Sequence, residues 1–396
     1  MGVRLDLYTG NSYNAALNQY LSLPRESAMR PDQIQPEMYE KQLQDKQSEL
    51  AKLMATLSLP EMEVFASKPS HYRMRAEFRI WHDGDDLYYA MFDPADPRTP
   101  IRTDQFLAAS DLINELMPKL LDAVRDVPVL RYKLFQVDFL TTTTGEALIS
   151  LLYHKPIDAE WNAAVQELNN AFPACHFIGR SRKKKQIITR DFVMETLTVD
   201  GQKFHYQQVE NSFTQPNAGI SEKMLEWALD VTKRASGDLL EMYCGNGNFS
   251  IPLARRFDRV VATEISKVSV NSAQLNIAIN GMDNVQVVKM ASEDVSAALN
   301  GDVELPKSLI QAGVSELTPS VVLVDPPRAG LDDATVELVR KIDSILYISC
   351  NPETLKANLE ALSSSHDVVR YAMFDQFPYT HHVETGVYLQ RKNQVE

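Results

Sequence analysis

Cysteine is scarce: the 396-residue chain has three, Cys175, Cys244 and Cys350. They are too few and too far apart for a disulfide framework, and no CxxC or CxxH pair marks a zinc or iron–sulfur site. Neither a metal nor a cluster is expected. Apolar runs long enough to span a bilayer are missing, and MGVRLDLYTGNSYNAAL lacks the apolar centre of a secretory leader. A reducing cytoplasm is the expected compartment, with no membrane partner. Positive charge is in the minority, 40 Lys and Arg against 53 Asp and Glu, for a net charge of -13. A polyanion responds to the local field rather than the total, so this balance does not exclude a nucleic-acid partner. The basic residues cluster as Lys68, Arg73, Arg75 and Arg79, and again as Arg180, Arg182, Lys183, Lys184, Lys185 and Arg190.

What is present is the composition of a globular protein, 44% hydrophobic and 23% charged, in a length that asks for two domains. Residues 1–30 read as an irregular, polar extension. A helix is predicted within PEMYEKQLQDKQSELAKLMATL, where Tyr39, Leu43, Leu50, Leu53 and Leu57 fall on one stripe. With it, residues 31–215 read as an α+β unit. Its strands are MRAEFRIW and LYYAMFD around an HDGDD hairpin, KLFQVDFLTTT, EALISLLYH, CHFIGRS, KQIITRDFVMETLTV and KFHYQQV. Residues 216–396 alternate helices with short apolar strands, GDLLEMYCG, RVVATEIS, VQVVKMA, SVVLVDPP and SILYISC. The expected fold class is therefore α/β, a doubly wound Rossmann-like sheet that binds ligands at the carboxyl ends of its strands.

Asp238–Ser250, DLLEMYCGNGNFS, brings Gly245 and Gly247 to the start of a helix, where backbone N–H groups face a ligand. The third glycine of a dinucleotide loop is replaced by Phe249, so ExxxGxG reads as an S-adenosylmethionine loop. Alone it is an ordinary strand–helix turn. Glu264, ending the next strand, is placed to accept from two ribose hydroxyls, and Ser292, Glu293 and Asp294 after the third strand stand near an adenine.

Asp325-Pro326-Pro327-Arg328 differs from the NPPY that grips an amine or amide nitrogen, which points away from methylation at nitrogen. Asp325 is expected to orient the cofactor or a uracil, or else to cap the following helix. SILYIS then delivers Cys350 into SCNPET. A lone cysteine is usually a small buried hydrophobe. At a strand's carboxyl end beside a Pro turn it reads as a nucleophile. Methylation of uracil C5 needs such a thiolate, since C5 becomes nucleophilic only after C6 is attacked, and a base must then remove the C5 proton. FDQFPYTHHVETGVYLQR offers His381, His382 and Glu384, and the residues alone leave His382 and Glu384 open. Adjacent strand positions face opposite ways, so the two histidines are not expected to share a metal. Cys175 and Cys244 read as structural.

DPPRAGL, YISCNPETL and FPYTHHVETGVYL resemble the signature blocks of the RNA uracil-5-methyltransferases. From about residue 36 onward the chain resembles the bacterial members that act on tRNA, especially in HYRMRAEFRIWHDGDDLYYAMFD, QVENSFTQPN and the cofactor loop. The resemblance implies S-adenosyl-L-methionine as methyl donor, Cys350 as nucleophile and Glu384 as base. It places cofactor contacts at Gln215, Tyr243, Asn248, Glu264 and Asp325, beside Gly245 and Gly247. The implied product is ribothymidine in the T-arm of tRNA, with ribosomal RNA, tmRNA or a purely tRNA-folding role as alternatives. Ribosomal-RNA relatives carry an N-terminal barrel and four cluster-binding cysteines, which this sequence does not show. In MRAEFRIW, Arg75, Glu77 and Arg79 share one strand face suited to an RNA loop. Phe135 and His154 are the implied stacking and phosphate contacts. The SRKKK run is a phosphate contact or a solvated turn.

Overall fold

The computed structural model describes residues 34–93, 96–182 and 184–392; the extension expected over 1–30 lies outside them. Among the described residues, seventeen strands run in chain order. They are β1 (Met62–Phe65), β2 (Arg75–Asp83), β3 (Asp86–Asp93), β4 (Asp96–Arg102), β5 (Leu134–Thr141), β6 (Ala147–Tyr153), β7 (Cys175–Ser181) and β8 (Lys184–Ile187). After β9 (Phe192–Val199) and β10 (Gln202–Val209) come β11 (Asp238–Met242), β12 (Arg259–Glu264), β13 (Val285–Lys289), β14 (Pro319–Val324), β15 (Ser344–Ser349), β16 (His366–Phe374) and β17 (Glu384–Arg391).

β2 to β8 form a seven-stranded sheet in the order β4-β3-β2-β5-β6-β7-β8. Its pairs are antiparallel except β6–β7, whose crossover is the helix Ala159–Ala171. That helix starts where Asp158 accepts the Trp161 N–H at 2.9 Å, and Ser110 caps Asp111–Arg125 in the same way at 3.3 Å. Both helices cover one face, burying Ile113, Met117, Trp161 and Val165 against Phe78, Phe139, Ile149 and Phe177. The HDGDD hairpin closes as read, with Gly84 at φ 57° between paired Asp83 and Asp86. β4 was not foreseen; its Pro-containing sequence suits a sheet edge, where a missing N–H does no harm.

The second sheet has eight strands, β1-β16-β17-β15-β14-β11-β12-β13. β11 to β15 are parallel neighbours, and β17 inserts antiparallel between β15 and β16. This is the doubly wound α/β sheet that the alternating elements predict, with helices on both faces. Strand order reverses between β12 and β14 around β11, which opens a crevice at the carboxyl ends of β11 and β14. No helix among the described residues is long and apolar enough to cross a membrane.

Both ends of the 31–215 segment pack with this second sheet. β1 pairs with β16, and the β9–β10 hairpin buries Leu197, Val199, Phe204 and Tyr206 against Ile220, Met224 and Leu225 of the helix Ala218–Val231. The N-terminal helix runs Tyr39–Met54, and its buried stripe is Tyr39, Leu43, Lys46, Leu50 and Met54. Leu57 falls beyond its end. Charge broke the apolar pattern at Lys46, yet Lys46 is only 6% exposed. Its ammonium lies 2.7 Å from the wholly buried Asp375 carboxylate and donates to the Phe377 carbonyl at 2.7 Å. Tyr39 and Gln42 also donate to Asp375, at 3.0 and 2.8 Å. The helix is thereby bolted to the loop between β16 and β17.

Removing one partner of a buried pair strands the other charge, a loss of about 3–5 kcal/mol. Lys46→Met is expected to lower unfolding free energy by that order in chemical denaturation, and Lys46→Met with Asp375→Asn to recover part of it. Wild-type stability in the single variant would contradict this packing.

Candidate active site

β14 and β15 are parallel, so Asp325 and Cys350, each following its strand, emerge at the same edge. β17 begins there in the opposite direction. Ser349 pairs with Thr385, and the register carries Cys350 opposite Glu384. The Thr385 hydroxyl locks that register by donating to the Ser349 carbonyl at 3.0 Å. Asn351 and Thr354, at the start of the helix Pro352–Leu362, donate to the Arg328 carbonyl at 2.9 and 3.1 Å, tying the DPPR loop to the cysteine turn. Gly330, at φ 77°, leaves room for Asn358: a Cβ there would meet the Asn358 amide oxygen at 2.8 Å.

Electrostatics bind these groups together. Burial, then the charges of Glu384 and Asp325, push the half-buried Cys350 thiol up to about 12, while Arg328 pulls it down. Burial, then Asp325, holds the Glu384 carboxyl well above the ordinary range, again opposed by Arg328. Burial raises Asp325 to about 7. Arg328 is thus the cation shared by the thiol and Glu384, a role the sequence motif did not assign. Its Nη2 also lies 3.0 Å from Nδ1 and 3.1 Å from Nε2 of His382. A guanidinium only donates, so His382 meets it as an acceptor. His382 is in a loop, because the strand starts at Glu384; the expectation that the two histidines sit on opposite strand faces fails. Their rings lie 4.0 Å apart. Among the described residues no cluster of His, Cys, Asp and Glu suits a metal.

The crevice beside β11 is a pocket open to solvent. Gln215, Tyr243, Gly245, Asn248 and Asp325 line it as expected, with Phe213, Ser221, Tyr206 and Cys244. Gly247 and Glu264 stand just behind the lining. Gly247, at φ 83°, donates to the Cys244 carbonyl at 2.9 Å and so folds the loop. Glu264 is buried and accepts from Gly245 N–H at 3.1 Å and Ser266 N–H at 2.7 Å. Glu293 and Asp294 are exposed, outside the lining. Glu241 takes its hydrogen bond from Ser250, and burial lifts it to about 8. Ser221 Oγ and Asn248 Nδ2 are buried without a hydrogen-bond partner in the protein. Such atoms are costly unless something polar meets them. These two atoms fit a polar ligand such as S-adenosylmethionine.

On the outer face of the seven-stranded sheet, Phe135 and His154 stack on each other, centroids 3.8 Å apart and planes 10° off parallel. Arg79 lies over Phe135 at 5.4 Å. Glu77 is exposed, but Arg75 is half-buried and donates to the Ser212 carbonyl at 2.9 Å. Within SRKKK, Lys185 pairs with Glu210 and Lys184 donates to the Ile157 carbonyl at 2.7 Å, while the flanking Arg180 and Arg190 pair with Glu210 and Glu146. Lys183 lies outside the described residues.

The model of the family tRNA (Uracil-5-)-methyltransferase matches residues 38–392. A protein of Marinomonas sp. (strain MWYL1), named tRNA/tmRNA (uracil-C(5))-methyltransferase, is 96% identical over 92% of this chain and 100% of its own length. One of that name from Erwinia tasmaniensis is 54% identical with the same coverage. The crystal structure of Pyrococcus abyssi tRNA (uracil-54, C5)-methyltransferase with S-adenosyl-L-homocysteine superposes with a TM-score of 0.68 at 22% identity, covering 89% of this chain and 83% of that one. That last likeness is one of fold.

Removing a neighbouring negative charge eases thiolate formation. At about pH 8, iodoacetamide is expected to alkylate Cys350 several-fold faster in Asp325→Asn than in wild type, read by peptide mass, one pKa unit being about tenfold in thiolate. Cys175 and Cys244, buried with their thiols pushed up, should stay unmodified in the native protein. An unchanged rate would show that Asp325 and Cys350 are not coupled.

Proposed function

The chain belongs to the tRNA (uracil-5-)-methyltransferase family, and from that premise we propose that it methylates C5 of a uridine in the T-arm of tRNA. The reading is supported most by one observation: β15 ends with Ser349 paired to Thr385, so that Cys350 and Glu384 follow at adjoining positions, and the charges of Glu384 and Asp325 act on the thiol. The T-arm position follows the name of the archaeal neighbour, whose target is uracil-54. The names of the relatives add tmRNA as a second substrate. A tRNA substrate puts the activity in the cytoplasm.

Gln215, Tyr243, Asn248 and Asp325 hold the methyl donor, with Gly245 and Gly247 shaping the loop and Glu264 bracing it from behind. When bound, S-adenosylmethionine supplies an electrophilic methyl group. Cys350 forms a bond from Sγ to C6 of the uracil, and the C5–C6 π pair moves toward C5 and O4 as an enolate. Arg328 favours the thiolate that starts this step. C5 would then take the methyl group as the donor's S–CH3 bond breaks, its electron pair staying on sulfur and leaving S-adenosylhomocysteine. Glu384 accepts the C5 proton, the C5–C6 double bond re-forms, and the thiolate leaves with its electron pair. Burial raises the proton affinity of Glu384, which suits a base for a carbon acid. His382, turned toward Arg328, is not placed for that role. For the uracil to arrive, its nucleotide must leave the stack, at a cost of a few kcal/mol, and Phe135, His154, Arg79 and Glu77 offer the compensating contacts.

The test is tritium release from 5-tritiated uridine in a T-arm hairpin, with a ribosomal RNA fragment as competitor substrate. Release from the hairpin is expected in wild type and absent in Cys350→Ala, while S-adenosylmethionine binding by calorimetry persists. Release by Cys350→Ala would overturn the nucleophile, and preference for the ribosomal fragment would overturn the substrate.

A further inference from the structure

A second cation–aromatic cluster borders the Phe135–His154 stack. Tyr132 is 60% exposed, the most exposed large apolar side chain among the described residues. The ammonium groups of Lys133 and Lys155 stand 5.3 and 5.9 Å from its ring centre. Lys155 is anchored by donating to the Val129 carbonyl at 2.6 Å. Lys133 holds φ 57°, a strained backbone for a long side chain, and its carbonyl accepts the His154 N–H at 2.9 Å. That bond makes residues 132–135 and 153–155 one rim, carrying the stack and the cluster together.

Charge also marks this cluster. In a chain of net charge -13, Arg180, Lys185 and Arg190 of the nearby basic run are paired with Glu210 and Glu146. Among the described residues Lys133 and Lys155 have no carboxylate partner. A well-exposed aromatic ring with two ammonium groups over it combines a surface for a base with positive charge for its phosphates.

We propose that Tyr132, Lys133 and Lys155 form a second nucleotide platform, binding one base and its flanking phosphates of the RNA whose neighbouring nucleotides meet Phe135 and His154. The proposal rests on the T-arm reading above. Its occupant is RNA, argued from charge complementarity and from continuity with the stacking pair.

The experiment measures methylation kinetics and salt-dependent binding of a T-arm hairpin by the full chain, comparing wild type with Tyr132→Ala, Tyr132→Phe and Lys133→Gln. Tyr132→Ala is expected to raise KM for RNA about tenfold, and Tyr132→Phe to restore it, since stacking needs the ring and not the hydroxyl. Lys133→Gln should reduce the slope of log affinity against log salt by about 0.7 to 0.9. Wild-type KM in Tyr132→Ala with a wild-type salt slope in Lys133→Gln, on a hairpin that wild type methylates, would overturn the platform alone. No methylation of any hairpin by wild type would overturn the substrate assignment and the platform with it.

Discussion

A buried carboxyl group and a half-buried thiol share one cation, beside a second carboxyl group. Asp325, Glu384 and Cys350 sit where water is scarce, and Arg328 is the positive charge that acts on both Glu384 and the thiol. They cannot all ionise at once in such surroundings. At rest, burial and the neighbouring carboxyl groups disfavour the Cys350 thiolate. The same crowding gives Glu384 a high affinity for protons. A group that stays neutral by burial in the resting site becomes a stronger base once ionised.

The rest of the architecture serves that meeting point. β17 must insert antiparallel between β15 and β16 for its first residue to face the end of β15. The loop leading into β17 is held by Lys46 through Asp375, so the N-terminal helix supports the active site from the far side of the chain. The β9–β10 hairpin and the helix Ala218–Val231 wall the pocket that opens next to Asp325. One face of the seven-stranded sheet is covered by its two helices; Phe135, His154 and Arg79 meet on the other, where Leu140, Leu148 and Ile178 pack with Val193 of β9.

What could be read from the sequence was local. The glycine loop, the DPPR turn and the cysteine turn each combine a strand end with a few adjoining residues, and their positions followed from strand and helix patterning. Long-range pairings were not legible. Lys46 interrupts an apolar stripe and is explained only by Asp375, 329 residues away. The SRKKK run read as a phosphate contact or a solvated turn, and the fold brings Glu210 to its Lys185. His382 and Glu384 were rivals because two positions along a strand share a face; the strand in fact begins at Glu384, and His382 turns to Arg328. Ser221 carries no motif at all, yet its unpartnered hydroxyl is among the clearest signs of a ligand in the pocket.

The division of labour between Cys350 and Glu384 is the centre of this account. Its most direct measurement is the intact mass of Glu384→Gln incubated with a T-arm hairpin of ordinary uridine and S-adenosylmethionine. Without its base the enzyme should add, methylate and stop. The account predicts a covalent protein–RNA species heavier by one methyl group, with the RNA attached at Cys350. Free methylated RNA from Glu384→Gln, with the stalled species found in His382→Ala instead, would contradict it.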